Sequence, residues 1–291
     1  MHILVTGANS QLGKSLKKVC SKKNIKHIFE FASRNQLDLS SISEIETFIK
    51  NGNFDLIINF AAYTHVDDAE TDEIQANLIN YLAVKKMAEV SSQNKVKLIH
   101  ISTDFVFDGM KNEPYTETDN AAPINIYGKS KYYGEQAILS VMIKNAIIIR
   151  TSWLYSEYGN NFVNTILQLS QAGKTLNVVN DQIGNPTYAG DLSQLIMEIV
   201  MSEKFNSIDQ PSKIFHYSND GSCSWYDFAK EVIKISGKKC TINPISSKNY
   251  PSKVRRPKNS SMNKKKVIKE FGIKTFFWKD SLKRCINNIS S

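Results

Sequence analysis

The sequence predicts an α/β protein, a doubly wound parallel sheet joined to a smaller C-terminal lobe. Three observations carry that expectation. Short apolar, β-branched runs recur at residues 2–6, 26–31, 55–59, 96–101 and 146–150, with helical patterns between them. Strands and helices alternating in this way build parallel sheets with right-handed crossovers. The first run opens into Gly7-Ala8-Asn9-Ser10-Gln11-Leu12-Gly13, a turn that leads into a helical pattern. Past residue 151 the alternation loosens into helices separated by polar loops, as expected of a lobe that shares the sheet.

His2-Ile3-Leu4-Val5-Thr6 reads as a buried strand, because a short unbroken apolar run suits a strand covered on both faces. The helix after it runs from Leu12 to about Lys22. A helix N-terminus reached from a strand through Gly7 and Gly13 is where backbone N–H groups hold a dinucleotide pyrophosphate. Ser10 occupies the middle position, often glycine, and would offer its N–H and hydroxyl to a phosphate. The second strand ends at Ala32-Ser33-Arg34. An acid here favours a free ribose 2′-hydroxyl and an arginine a 2′-phosphate, so Ser33 and Arg34 point to NADP while Glu30 leaves NAD open. Asp38-Leu39 leads to a helix near 41–50, with Ser41 or Ser43 as its cap. After the third strand, Ala61 and Ala62 are small enough for a cofactor to lie against the backbone, or simply for strand to pack on helix. A long helix is expected over about 71–94. The fourth strand then delivers Ser102-Thr103-Asp104 to its C-terminal tip, where open α/β sheets place ligands.

Tyr127-Gly128-Lys129-Ser130-Lys131 carries the chemistry. A tyrosine and a lysine four apart lie on one helix face, a turn from each other. A phenol alone is a poor acid or base at neutral pH, with an unperturbed pKa of about 10. A neighbouring ammonium favours the phenolate, so Lys131 is expected to draw the Tyr127 pKa down toward the range where proton transfer is efficient. Such pairs also arise by chance on surface helices; the strand tips around this one give it meaning.

Beyond the fifth strand, helices are expected near 161–172, 191–201, 224–236, 263–271 and 279–289, with a short strand near 176–179. A chain of 291 residues, 41% of them hydrophobic, can bury a full core. No stretch approaches the ~20 apolar residues of a membrane span, and no secretory signal pattern precedes the first strand. Cys20, Cys223, Cys240 and Cys285 are far apart, which reads as reduced thiols in a cytoplasmic protein. The net charge of +9 concentrates late, in Lys253, Arg255, Arg256, Lys258, Lys264, Lys265, Lys266 and Lys269. No aromatic-interleaved patch accompanies it, so no nucleic-acid partner is expected. Lys264 to Lys266 read as a solvated helical face. Arg255 and Arg256 could meet a pyrophosphate, since guanidinium matches phosphate bidentately.

With these residues in place, the chain resembles the extended short-chain dehydrogenase/reductases, and within them the dTDP-4-dehydrorhamnose reductases. The matching segments run in order over nearly the whole length: Thr6-Gly7-Ala8 to Gly13, Asn59 to Glu70, Ser102 to Gly109 and Tyr127 to Lys131. Arg150 to Tyr155, Gly159 to Phe162, Asn180 to Thr187, and Arg256-Pro257 with Asn259-Ser260 complete the set. The resemblance implies a Rossmann-type domain over 1–151, including the catalytic helix, and a mainly substrate-binding lobe over 152–291, some of whose segments return to the Rossmann core. It implies that NADPH, or NADH, reduces the C4 ketone of a nucleotide-linked 6-deoxy-hexulose, foremost dTDP-4-dehydro-L-rhamnose, for a cell-surface polysaccharide. Tyr127 would donate the proton, Lys131 would hold the nicotinamide ribose, and Thr103 would hydrogen-bond the sugar oxygen. Cofactor contacts map to Ser10, Gln11, Leu12, Asp38, Leu39, Ala61, Ala62 and Tyr63, and to Tyr127 and Lys131 as well. Substrate contacts map to Val66, Thr103, Asp104, Trp153, Asn161, Gln182, Asn185 and Arg256.

Thr103-Asp104-Phe105 separates the chain from sister chemistries. Dehydratases of the superfamily carry an Asp-Glu pair at this point and epimerases usually Ser-Ser/Thr-Ala. Reductases of other nucleotide keto-sugars would look nearly the same. A regulatory subunit on the same fold, similar to that of methionine adenosyltransferase, is the alternative of another class; the intact Thr103, Tyr127 and Lys131 favour the enzyme. Some relatives bind magnesium between subunits through acids where this chain has Ser15 and Gly190, with only Asp191 nearby. No metal is therefore expected, and both monomer and homodimer stay open.

Overall fold

The computed structural model describes residues 1–22, 26–170, 175–207, 209–252 and 254–290. Its central sheet has six strands: β1 (His2–Thr6), β2 (Ile28–Ala32), β3 (Leu56–Asn59), β4 (Lys97–Thr103), β5 (Ala146–Thr151) and β6 (Lys213–His216). They lie in the order β2-β1-β3-β4-β5-β6, and every neighbouring pair is parallel. Side chains alternate between faces along each strand. Ile3, Val5, Ile58, Ile99, Ile149 and Phe215 therefore enter one core, shared with the helices Gln11–Lys22 and Ala189–Met201. Leu4, Ile57, Leu98 and Ile148 enter the other, shared with the helices Ile42–Gly52, Ala83–Gln93 and Ile126–Val141. The sheet is covered on both faces, which is the doubly wound arrangement.

β6 was not expected. It is four residues long and half-exposed at its start, so its own composition carries little strand signal. The open edge of β5 makes it a strand, by pairing Lys213 with Ile147 through His216 with Arg150. The expected helix over 71–94 is also broken up: Val66–Ala69 precedes it, and Glu73–Asn77 passes through a π-helical turn, Leu78–Leu82, into Ala83–Gln93. Ser41 does stand at the N-cap of Ile42–Gly52, yet its hydroxyl makes no cap hydrogen bond. The helix expected over 161–172 is observed as Phe162–Leu169; its expected end at Ala172 and the basic Lys253 lie outside the described residues.

A third core packs Tyr155, Val163, Phe228, Trp278 and Leu282 under the cleft described below. The C-terminal helix Trp278–Ser290 is fastened by Arg284, whose guanidinium donates to the buried Asp191 carboxylate at 2.7 Å; Ser281 and Asn219 donate to it as well. Of the solvated face expected over Lys264 to Lys266, Lys265 and Lys266 are exposed and Lys264 is not. Lys264 sits largely buried beside Asp220, and Lys266 donates to the Ile214 carbonyl at 2.7 Å with its ammonium over the Phe215 ring.

Candidate active site

The chain turns to opposite sides after β1 and β3, and the two loops that leave there form a crevice at the strands' C-terminal ends. In doubly wound sheets such a switch point is the ligand-binding position. Gly7 has φ +68°, and a Cβ on it would sit 2.9 Å from the Ala61 backbone nitrogen. A Cβ on Gly13 would sit 2.4 Å from the Gly7 carbonyl oxygen. Only glycine lets the turn, the helix start and the β3 loop approach this closely. The cradle fits a pyrophosphate-bearing cofactor approaching along the backbone. Ser10 departs from its expected role in one respect: its N–H donates to the Gly7 carbonyl at 2.9 Å and is not free for a phosphate. Its hydroxyl accepts from the Gly13 N–H at 3.0 Å, capping the helix while keeping its own proton to donate.

At the far end of the crevice Arg34 is 74% exposed and only loosely paired with Asp38, at 3.4 Å, so its guanidinium is available to an incoming phosphate. The Ser40 N–H holds the Asp38 carboxyl below its ordinary range. Glu30 corrects its expectation: it lies mid-strand opposite Leu4, and its carboxylate meets His2 at 3.3 Å, toward the other end of the sheet from the ribose position. Leu12 and Leu39 are core side chains, leaving their backbone alone for a ligand.

Asn125 caps the helix Ile126–Val141, its side chain accepting from the Gly128 N–H at 2.8 Å. Gly128 seats that helix against the tip of β4, where a Cβ would lie 2.2 Å from the Phe105 carbonyl oxygen. This brings the Tyr127 phenol beside the Thr103 hydroxyl and sets the Tyr127 ring edge-on to Phe105 at 5.7 Å. Thr103 also donates to Asp104 Oδ1 at 3.1 Å.

The expected effect of Lys131 on Tyr127 is not what the structure has. The phenol is pushed up to about 12, by burial first and by the Asp104 charge, with the Thr103 hydroxyl opposing. Lys131 is itself pushed down to about 8 by burial. Its ammonium nitrogen is turned away, donating to the Ile101 carbonyl at 2.7 Å and lying 3.3 Å from His100 Nε2. Desolvation outweighs a charge aimed elsewhere.

Asp104 is 1% exposed, and its Oδ2 has no hydrogen-bond partner among the described residues. Burial raises its pKa to about 6 against 3.8, partly offset by the Ser260 and Thr103 hydroxyls. A carboxyl raised in the folded state favours folding below pH 4, and that advantage is lost as pH rises through about 6. Two units correspond to about 3 kcal/mol. Asp104→Asn is therefore expected to gain up to about 3 kcal/mol relative to the parent between pH 4 and pH 7. Urea unfolding at both pH values reads it, and an unchanged difference would contradict the buried charge.

Beyond Phe105 opens a cleft of about 690 Å³, lined among others by Trp153, Phe162, Gln182, Trp225, Tyr250 and Arg256. Trp153 has φ +46°, and its indole stacks on Trp225 at 3.5 Å and 10°. A Cβ on Gly184 would lie 2.5 Å from that indole. A non-glycine residue held in the left-handed region is strained by about 1–3 kcal/mol, and here the stack and the Gly184 gap hold it.

A family model described as the RmlD substrate binding domain matches residues 1–291. The chain belongs to this family. It is 39% identical over 290 residues to a dTDP-4-dehydrorhamnose reductase of Sinorhizobium fredii, covering 98% of this chain and 97% of that one. It is 35% identical to the spore coat polysaccharide biosynthesis protein SpsK of Bacillus subtilis, covering 99% and 98%. Among solved structures, a dTDP-4-dehydrorhamnose reductase from Bacillus anthracis in complex with NADP matches with a TM-score of 0.91 at 35% identity, over 99% of both chains.

In this RmlD-family chain the expected substrate residues divide. Trp153, Gln182 and Arg256 line the cleft. Val66 opens the helix whose Asp67 carboxylate accepts from Arg256, so that guanidinium is already engaged, with Ser252 as a second partner. Asn161 and Asn185 do not fit a substrate role, because both ends of each amide are committed. Asn161 accepts from the Asn164 N–H and donates to Gln11 Oε1 and two carbonyls. Asn185 accepts from the Met262 N–H and donates to the Gly221 carbonyl and Ser222. Asn80, in the π turn, was missed: it clamps the Tyr63 backbone at both N–H and C=O and donates to Ser130 on the catalytic helix. A π turn is a recurrent mark of functional sites, but the sequence shows no π period. Trp225 was missed too, because at the start of Trp225–Ser236 it reads as an ordinary amphipathic position.

Proposed function

We propose that this chain is a reductase of the C4 ketone of a nucleotide-linked 6-deoxy-hexulose, with dTDP-4-dehydro-L-rhamnose as its first substrate and NADPH as its cofactor. The observation that carries the reading is the meeting of Thr103, Asp104 and Tyr127 between the glycine cradle and the aromatic cleft. Residues 1–151 hold the cofactor, and residues 152–291 hold most of the substrate. Gly7, Gly13, the Ser10 hydroxyl and Arg34 receive its phosphates, Ala61 and Ala62 its flat face, and Lys131 its ribose. Bound there, NADPH supplies a hydride. Thr103 orients the ketone oxygen, and Tyr127 donates the proton that turns it into a hydroxyl. Burial serves that direction, since a phenol raised to about 12 is fully protonated at neutral pH. The Asp104 Oδ2, buried without a hydrogen-bond partner among the described residues, accepts from a sugar hydroxyl. Trp153, stacked on Trp225, forms the wall of the sugar pocket. The enzyme works in the cytoplasm, where nucleotide sugars and NADPH are present together.

Loss of absorbance at 340 nm tests this, with purified protein, enzymatically generated dTDP-4-dehydro-L-rhamnose and either NADPH or NADH. Oxidation is expected, faster with NADPH because Arg34 faces the 2′ position and Glu30 does not. A protein that binds cofactor yet oxidises neither points to another keto-sugar, or to a regulatory role.

A further inference from the structure

A buried polar chain runs beneath the site from the first turn to Lys131. Thr6 donates its hydroxyl to Asn59 Oδ1 at 2.6 Å, and the Ala61 N–H donates to the same oxygen at 3.2 Å. Asn59 Nδ2 lies 3.0 Å from His100 Nδ1, and His100 Nε2 lies 3.3 Å from Lys131 Nζ. Asn59 and His100 are at most 1% exposed and Lys131 is 2% exposed.

The donors favour one assignment. The Ala61 N–H donates at 3.2 Å to Asn59 Oδ1 and at 3.3 Å to Thr6 Oγ1, and an Asn59 NH₂ turned to that side would set donor against donor, so its oxygen faces the turn and its NH₂ faces His100. Nδ1 of His100 is then an acceptor, and a neutral imidazole carries its single proton on Nε2. Burial keeps the ring neutral, its pKa well below the ordinary value. Nε2–H therefore points at Lys131 Nζ. An ammonium has no lone pair to accept it, whereas a neutral amine accepts from Nε2–H and still donates to the Ile101 carbonyl. The other charge acting on Lys131 is Glu135, one turn on along the same helix and already held by Arg150 of β5; Tyr127 precedes it by one turn.

We propose that His100 is a positioning residue, held by Asn59 in the tautomer that favours the neutral amine of Lys131 in the free enzyme, so that cofactor binding shifts Lys131 to the ammonium and draws from solvent whatever proton it lacks at the prevailing pH. This rests on the placement of Lys131 at the nicotinamide ribose proposed above. The proton balance is simple: for each cofactor bound, Nζ takes from buffer the part of a proton it lacks, and no covalent bond changes.

Calorimetric titration of the full chain with NADPH, in buffers of different ionisation enthalpy, reads that proton. With Lys131 near 8 in the free enzyme, uptake is expected to approach one proton per NADPH at pH 9 and to be about a tenth of one at pH 7. The Kd is correspondingly about tenfold weaker at pH 9. Asn59→Asp keeps the shape but accepts from Nδ1–H, which turns Nε2 into an acceptor for the ammonium. Its uptake at pH 9 should largely vanish. His100→Gln, whose amide oxygen can face the ammonium, should move the same way if the first variant does not fold. Binding without uptake in the parent, parent-like uptake in the folded variants, or uptake that persists in Lys131→Met overturns the proposal alone. Absence of NADPH binding by the parent overturns the functional reading beneath it.

Discussion

Replacing Tyr127 by phenylalanine is expected to lower turnover by roughly 10²–10⁴-fold, the range a positioned general acid supplies. NADPH affinity should stay within about threefold, because the substitution removes one hydroxyl and leaves the ring against Phe105, outside the glycine cradle. Only the proton donor is lost. The parent supplies it in the correct state, since burial keeps the phenol protonated throughout the neutral range. Steady-state kinetics beside a fluorescence titration of NADPH separates the two quantities. Turnover equal to that of the parent removes Tyr127 from the chemistry. Parallel loss of turnover and of cofactor binding would instead make it a structural member of the cofactor pocket.

The second large effect concerns stability. Arg150 on β5 donates to Glu135 on the catalytic helix at 2.9 and 2.6 Å, with side chains 3% and 0% exposed. Glu135 lies one turn past Lys131, so this pair fixes the helix that carries the tyrosine and the lysine. Removing one partner of a buried ion pair leaves a desolvated charge and costs about 3–5 kcal/mol. Arg150→Met is expected to show that loss in chemical unfolding, as a fall in midpoint with little change in slope. Adding Glu135→Leu should restore most of it, because an apolar pair of similar volume carries no such charge. A single variant within about 1 kcal/mol of the parent would show that water or relaxation already solvates Glu135.

Much of this molecule was legible locally. Five strands announced themselves as apolar β-branched runs. Gly7 and Gly13 marked a turn only glycine can make, and Tyr127 and Lys131 shared a helix face by spacing alone. Each of these properties is carried by a few adjacent residues, and the ordered segments around them named the family.

What the chain alone could not decide depends on partners distant in sequence. β6 exists because β5 offers an open edge. The resemblance gave Asn161 and Asn185 to the substrate, and the fold engages the NH₂ and the oxygen of each amide in internal hydrogen bonds. Trp153 and Trp225 are 72 positions apart and meet only because the chain reverses at a left-handed residue. The direction of the tyrosine shift was decided in the same way. Spacing placed a lysine near the phenol, but the tertiary structure buried both and turned the ammonium to Ile101 and His100. Sequence by itself determined which groups share a helix face or a strand tip, because backbone periodicity is local. The tertiary structure decided which of them are desolvated and which are already bonded, because burial and hydrogen-bond saturation belong to the packed whole.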